Sequence, residues 1–237
     1  MHSTTVRFLK SLQHAGVKNL ARPHRTQAEP SHHPTPPSAQ QEALLSPPPS
    51  EKASSLLEKI SSDISTCKKC GLCRDRRHTV PGEGNPTARI MFIGEAPGQD
   101  EDRLGRPFVG PAGKLLDAII EKGMKRERAE VYICNIVKCR PPKNRNPLPE
   151  EINACTPYLE QQIDAVRPAV ICALGKVAAH WLLDSQAPMS RLRGQTHHFQ
   201  GIPVIPTYHP SYLLRNPAAK IQTWEDIQKV MEVSAPA

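Results

Sequence analysis

The sequence predicts an α/β fold of three layers (αβα), with helices on both faces of a central, mostly parallel four-stranded sheet. Three observations support this expectation. Residues 89–93, 131–137, 169–174 and 202–205 are short runs rich in large apolar side chains, the pattern of buried strands. Between successive runs lie segments with apolar residues at helical spacing. Strands alternating with helices imply crossover connections, and hence a mostly parallel sheet covered on both faces.

The elements follow in order. The folded domain is expected over residues 51–237, and residues 1–50 outside it. That leading segment holds Pro34, Pro36, Pro37 and the run Pro47 to Pro49, with many Ser, Gln and His. It has too little apolar surface to offset chain entropy. Arg7, Lys10, Lys18, Arg22 and Arg25 precede the first acid, Glu29. The stretch reads as a disordered basic tail on a cytoplasmic protein of the bacterial cytosol, with organelle targeting as the alternative. Phe8, Leu9 and Leu12 are candidates for a short helical contact with a protein partner.

A helix is expected from Ser54 to about Ile64, with Leu56, Leu57, Ile60 and Ile64 as its stripe. The first strand, Arg89–Ile93, runs into Gly94-Glu95-Ala96-Pro97-Gly98, where Pro and Gly break it. The next helix runs from Pro111 to about Lys122. Pro suits its first position, Leu115, Leu116, Ile119 and Ile120 form its buried stripe, and Gly123 ends it. The second strand is Val131–Val137. A helix then starts at Pro149, with Glu150 and Glu151 near the positive end of its dipole and Ile152, Cys155, Leu159 and Ile163 on one face. The third strand is Ala169–Leu174, and Gly175 opens a helix through Leu183. The fourth strand, Ile202–Ile205, leads into Thr207-Tyr208-His209-Pro210, and a last helix spans Lys220–Val233. Ligands of open α/β sheets bind beyond the carboxyl ends of the strands. Three such ends carry Glu95, Asn135 and His209.

Composition narrows the partners. A net charge of +8 favours an acidic partner such as nucleic acid. No stretch of about 18 apolar residues occurs, so no membrane span is expected. Seven unevenly spaced cysteines do not read as a secreted disulfide framework. Cys67 and Cys70 have the spacing of metal ligands, and so do Cys139 and Cys155, joined by a loop and a helical turn. Cys70 and Cys73 also read C-x-x-C. Four thiolates suit either tetrahedral zinc or a [4Fe–4S] cluster, and spacing alone does not separate the two. Cys134 and Cys172 lie in apolar runs and read as small buried residues.

Four motifs in order carry a resemblance: Gly94-Glu95-Ala96-Pro97-Gly98, Gly105-Arg106-Pro107-Phe108-Val109-Gly110, Asn135 to Pro142, and His209-Pro210-Ser211-Tyr212-Leu213-Leu214-Arg215. Together they resemble the uracil-DNA glycosylase superfamily, and within it family 4, the iron–sulfur branch, over about Leu56 to Ile227. The resemblance implies a uracil-DNA glycosylase-like fold. It also implies a monofunctional, monomeric base-excision-repair enzyme that hydrolyses the N-glycosidic bond of uracil in single- or double-stranded DNA, leaving an abasic site.

Such chemistry needs an extruded base held by its edge and a site that stabilises an anionic leaving group. Asn135 offers one acceptor and two donors, complementary to uracil N3–H and O4 and mismatched to cytosine. By resemblance His209 hydrogen-bonds uracil O2, Phe108 stacks on the base, and Ala96 and Gly98 offer it backbone contacts. Glu95 is implied to position or activate water, and stabilisation of the cationic sugar is the alternative. The resemblance also selects [4Fe–4S], with ligands Cys67, Cys70, Cys139 and Cys155, and leaves Cys73 spare. Lys138, Arg140, Lys143 and Arg145, four cations in eight residues, suit phosphate contacts. Arg215 belongs with them. Tyr212, Leu213 and Leu214 are apolar where solvent is expected, and one of the three would wedge into the base stack. No motif places a lysine for Schiff-base chemistry, and the loop 138–145 has no histidine to trap the sugar covalently.

Overall fold

The computed structural model describes residues 50–236. The tail, its targeting alternative and the contact site at Phe8, Leu9 and Leu12 lie outside them. The strands are β1 (Glu83–Gly84), β2 (Ile90–Gly94), β3 (Tyr132–Asn135), β4 (Val170–Leu174), β5 (His197–Phe199) and β6 (Ile202–Thr207). They form one sheet in the order β1-β3-β2-β4-β6-β5.

The four expected strands are its parallel centre, β3-β2-β4-β6. Every residue of β2, β3 and β4 is buried, which is why their sequences are unbroken apolar runs rather than alternating ones. The expectation of four strands is corrected to six. The short antiparallel edges β1 and β5 have mixed burial, and neither has the apolar signature that marks a central strand.

From β2 the chain crosses to β3 on one side, then returns to β4 on the other. The connections therefore diverge beyond the carboxyl ends of β2 and β4, where such folds open a crevice. Register aligns those ends: Gly94 lies opposite Asn135, Ile93 opposite Ala173, and Leu174 opposite Thr207.

The helices are α1 (Ser50–Ser65), α2 (Gln99–Leu104), α3 (Pro111–Ala118), α4 (Pro149–Val166), α5 (Lys176–Leu183), α6 (Met189–Leu192), α7 (Pro210–Arg215) and α8 (Lys220–Val233). Helix α1 begins earlier than expected and buries Ala53, Ile60 and Ile64, leaving Leu56 40% exposed. Gly123 does not end the third helix. The chain continues as a π-helical turn, Ile119–Met124, closed by Lys125 in the left-handed region. Helices α2, α6 and α7 are single short turns that an apolar period cannot reveal.

Candidate active site

The carboxyl ends of the central strands open into a cleft of about 810 Å³. Glu95, Ala96, Gly98, Phe108, Asn135, Arg145, His209, Tyr212 and Arg215 all line it, although they come from four distant segments. Its volume falls in the range of small-molecule sites.

Asn135 ends β3 and is 1% exposed. Among the described residues its side-chain oxygen, Oδ1, has no hydrogen-bond partner. A buried acceptor left unpaired costs about 1–3 kcal/mol. The arrangement suits an external N–H that supplies the missing bond. Gly94 makes room for the amide and for the Phe108 ring. A Cβ there would lie 2.4 Å from Asn135 Oδ1 and 2.5 Å from the tip of the Phe108 ring. Amide and ring thus converge over a residue with no side chain.

His209 caps α7, its Nδ1 accepting the Ser211 backbone N–H at 3.1 Å. That bond leaves the proton of a neutral imidazole on Nε2. Burial, with help from the Arg215 charge, pushes the His209 pKa down to about 4, so the ring is neutral above that. The Phe108 ring lies beside it, 5.6 Å between centroids. Glu95 is half-buried, and burial raises its carboxyl above the usual range.

Several expectations need correction. Lys138 cannot reach a ligand from solvent, because it is 1% exposed. Its ammonium donates to the Asn135 carbonyl at 2.7 Å and to Gln162 Oε1 at 2.6 Å. Gln162 in turn donates to the Pro81 carbonyl at 2.8 Å and the Tyr132 hydroxyl at 3.2 Å. The chain stays buried through Cys139 after β3 ends, so this first cation of the run points inward. Leu213 is 1% exposed and belongs to the core, whereas Tyr212 and Leu214 are 39% and 46% exposed. Tyr212 stacks on Tyr208, with 4.9 Å between centroids. Gly98 is only partly available, since its N–H donates to Glu101 Oε2 at 3.1 Å.

Of the other cations, Arg145 forms a bidentate pair with Glu151 and Arg140 bonds Asn144. Lys143 is exposed, in the left-handed region. Glu101, Gly175, Lys176 and Tyr208 also line the cleft and were missed. Gly175 had a legible signal: it follows an apolar strand, as Gly94 does. Glu101 had none, because its partners are backbone N–H groups that sequence does not show.

A second, smaller cavity is lined by Cys67, Cys70, Cys139 and Cys155, and also by Cys73, which the family resemblance leaves spare although its spacing from Cys70 is that of a ligand. Burial pushes the Cys139 thiol up to about 11, opposed by the Arg76 guanidinium, which donates to its sulfur at 3.1 Å. Cys155 is raised by burial too, opposed by Lys138, whose backbone N–H reaches its sulfur at 3.3 Å. Among the described residues no three His, Cys, Asp or Glu side chains close around a single-ion position.

The sequence profile of the uracil DNA glycosylase superfamily matches residues 81–228. A type-4 uracil-DNA glycosylase of Thermotoga maritima is 47% identical over 179 residues, 73% of this chain and 92% of that protein. One of Sulfurisphaera tokodaii is 45% identical over 186 residues, 75% of this chain and 84% of that protein. A type-5 uracil-DNA glycosylase of Pyrobaculum aerophilum is more distant, 34% identical over 56% of this chain and 66% of its own length.

Proposed function

The chain belongs to the uracil-DNA glycosylase superfamily, and from that premise we propose how its cleft works. The protein is a uracil-DNA glycosylase, a DNA-repair hydrolase that cleaves the bond between uracil and its sugar. The observation that carries the assignment of its site is the unpaired, buried Oδ1 of Asn135, in one cleft with Glu95, Phe108 and His209.

An extruded uracil stacks on Phe108 and gives its N3–H to Asn135 Oδ1, while the Asn135 amide N–H donates to O4. Cytosine offers a donor where the amide also donates, so it leaves buried groups unpaired and is rejected. As the bond to the sugar breaks, negative charge grows on the base. The Nε2–H of His209, held by the cap at Ser211, is aimed at O2 to receive it. Glu95 orients the water that attacks the sugar carbon. Arg140, Lys143 and Arg215 meet backbone phosphates, and Tyr212 or Leu214 presses on the base stack.

The cysteine cavity fits the iron–sulfur cluster of the type-4 reading. Four sulfurs around one zinc would lie about 3.8 Å apart. No three of these side chains close around one ion position among the described residues, and the thiols line a shared cavity, with two N–H···S bonds in place to favour thiolate. Cys67, Cys70, Cys139 and Cys155 would hold the cluster, which supplies cross-linking rather than bond chemistry. It would join the segment after α1 to the end of β3 and to α4. Reduced thiols go with a cytoplasmic location.

The test is release of free uracil from a uracil-containing oligonucleotide, followed over pH. Activity is expected to fall on the acid side as Glu95, raised by burial, takes up its proton. His209 stays neutral above about pH 4 and does not contribute to that limb. Glu95→Gln should lower kcat about 100-fold and remove the limb. Absence of uracil release at any pH would overturn the site assignment, and a limb kept by Glu95→Gln would overturn the role of Glu95.

A further inference from the structure

We propose that Glu101 and Arg128 are positioning residues that clamp the backbone of Phe108, and that this clamp, as much as the ring, sets the rate of uracil excision. The proposal rests on the reading of Phe108 as the surface on which the base stacks.

Phe108 has φ +50°. That is the left-handed region, which bulky side chains avoid. Such strain persists only where the surroundings over-determine the conformation, and it gathers at functional sites. Here the surroundings hold the peptide groups on both sides of the residue. Arg128 Nη2 donates to the Pro107 carbonyl at 2.6 Å and Nη1 to the Phe108 carbonyl at 3.3 Å. Glu101 Oε1 accepts the N–H groups of Val109 and Gly110, both at 2.9 Å. The peptide between Phe108 and Val109 is therefore gripped by a cation at its oxygen and by an anion at its nitrogen.

Both clamping groups are themselves fixed. Arg128 donates to Glu83 Oε1 from Nε at 3.0 Å and from Nη2 at 2.8 Å, and it pairs with Asp117. Glu101 Oε2 accepts the Gly98 N–H, tying the loop after β2 to the Phe108 loop. Space has been left as well. A Cβ on Gly113, in the first turn of α3, would lie 2.0 Å from the carbonyl carbon and oxygen of Phe108.

The result bears on the site directly. The same backbone setting brings the ring tip beside Asn135 Oδ1 and the ring centre to 5.6 Å from that of His209. With the clamp loosened, Phe108 relaxes toward a common conformation and the ring leaves that line. A misplacement of about 1 Å at such a site costs on the order of 100-fold in rate.

A double-mutant cycle tests this, with uracil release under single-turnover conditions and thermal stability read in parallel. Phe108→Ala alone should lower kcat/KM by about 10- to 100-fold. Arg128→Met and Glu101→Gln should each lower it by about 10- to 100-fold in the native background. Each should cost less than about threefold once Phe108 is already Ala, while its effect on melting stays the same in both backgrounds. Equal losses of activity in both backgrounds would overturn the clamp and leave the stacking role intact. A Phe108→Ala protein within about threefold of native would remove the stacking role itself, and the clamp with it. If Arg128→Met does not fold, Arg128→Lys, which cannot fork to two carbonyls, replaces it in the same cycle.

Discussion

Asn135→Asp is expected to lower uracil release by about four orders of magnitude and to make cytosine release measurable. The native amide is buried, so its acceptor and donor must both be matched by the base. An aspartate puts an oxygen where the amide nitrogen stood, and that oxygen can accept the N4–H of cytosine. When ionised, it meets uracil O4 with a second acceptor and no donor. Sites built to hydrogen-bond a substrate reject a mismatched analogue by about 10⁴ to 10⁵, because unmatched groups stay buried and unpaired. The measurement is single-turnover release from oligonucleotides carrying one uracil or one cytosine. An unchanged preference for uracil would show that Asn135 does not read the base.

His209→Ala is expected to lower kcat by about 10² to 10³, or about 3–4 kcal/mol, with little change in KM. A donor aimed at developing charge acts mainly in the transition state, so its loss appears in kcat. The pH dependence separates this reading from a cationic one. A histidine with a depressed pKa is neutral at all higher pH, and here burial holds His209 near 4. The native-to-mutant ratio should therefore be flat from about pH 5 to pH 9. An active imidazolium would instead lose its advantage as pH rises through its pKa. A ratio that collapses toward one above pH 7 would refute the neutral donor.

How far the sequence reveals this molecule depends on which physical signal each residue leaves. The central strands were legible because burial on both faces demands continuous apolar runs. The strand ends were legible because Gly94, Asn135 and His209 follow those runs directly. The edge strands β1 and β5 leave no such trace. Lys138 was misplaced because a lysine in a basic run looks solvated, whereas its ammonium is satisfied by the Asn135 carbonyl and Gln162. Leu213 was grouped with its exposed neighbours because one helical turn turns a single residue inward without producing a period. Phe108 was found by its motif, but its left-handed backbone was not. Nothing in the residue type announces a conformation imposed by Glu101, Arg128 and the missing side chain of Gly113.

The most direct test of the account is the structure of this protein with free uracil bound. The uracil ring is expected against Phe108, with N3–H on Asn135 Oδ1 and O2 within hydrogen-bond distance of His209 Nε2. Uracil bound away from Asn135, or in the cleft with its edge turned toward solvent, would contradict it.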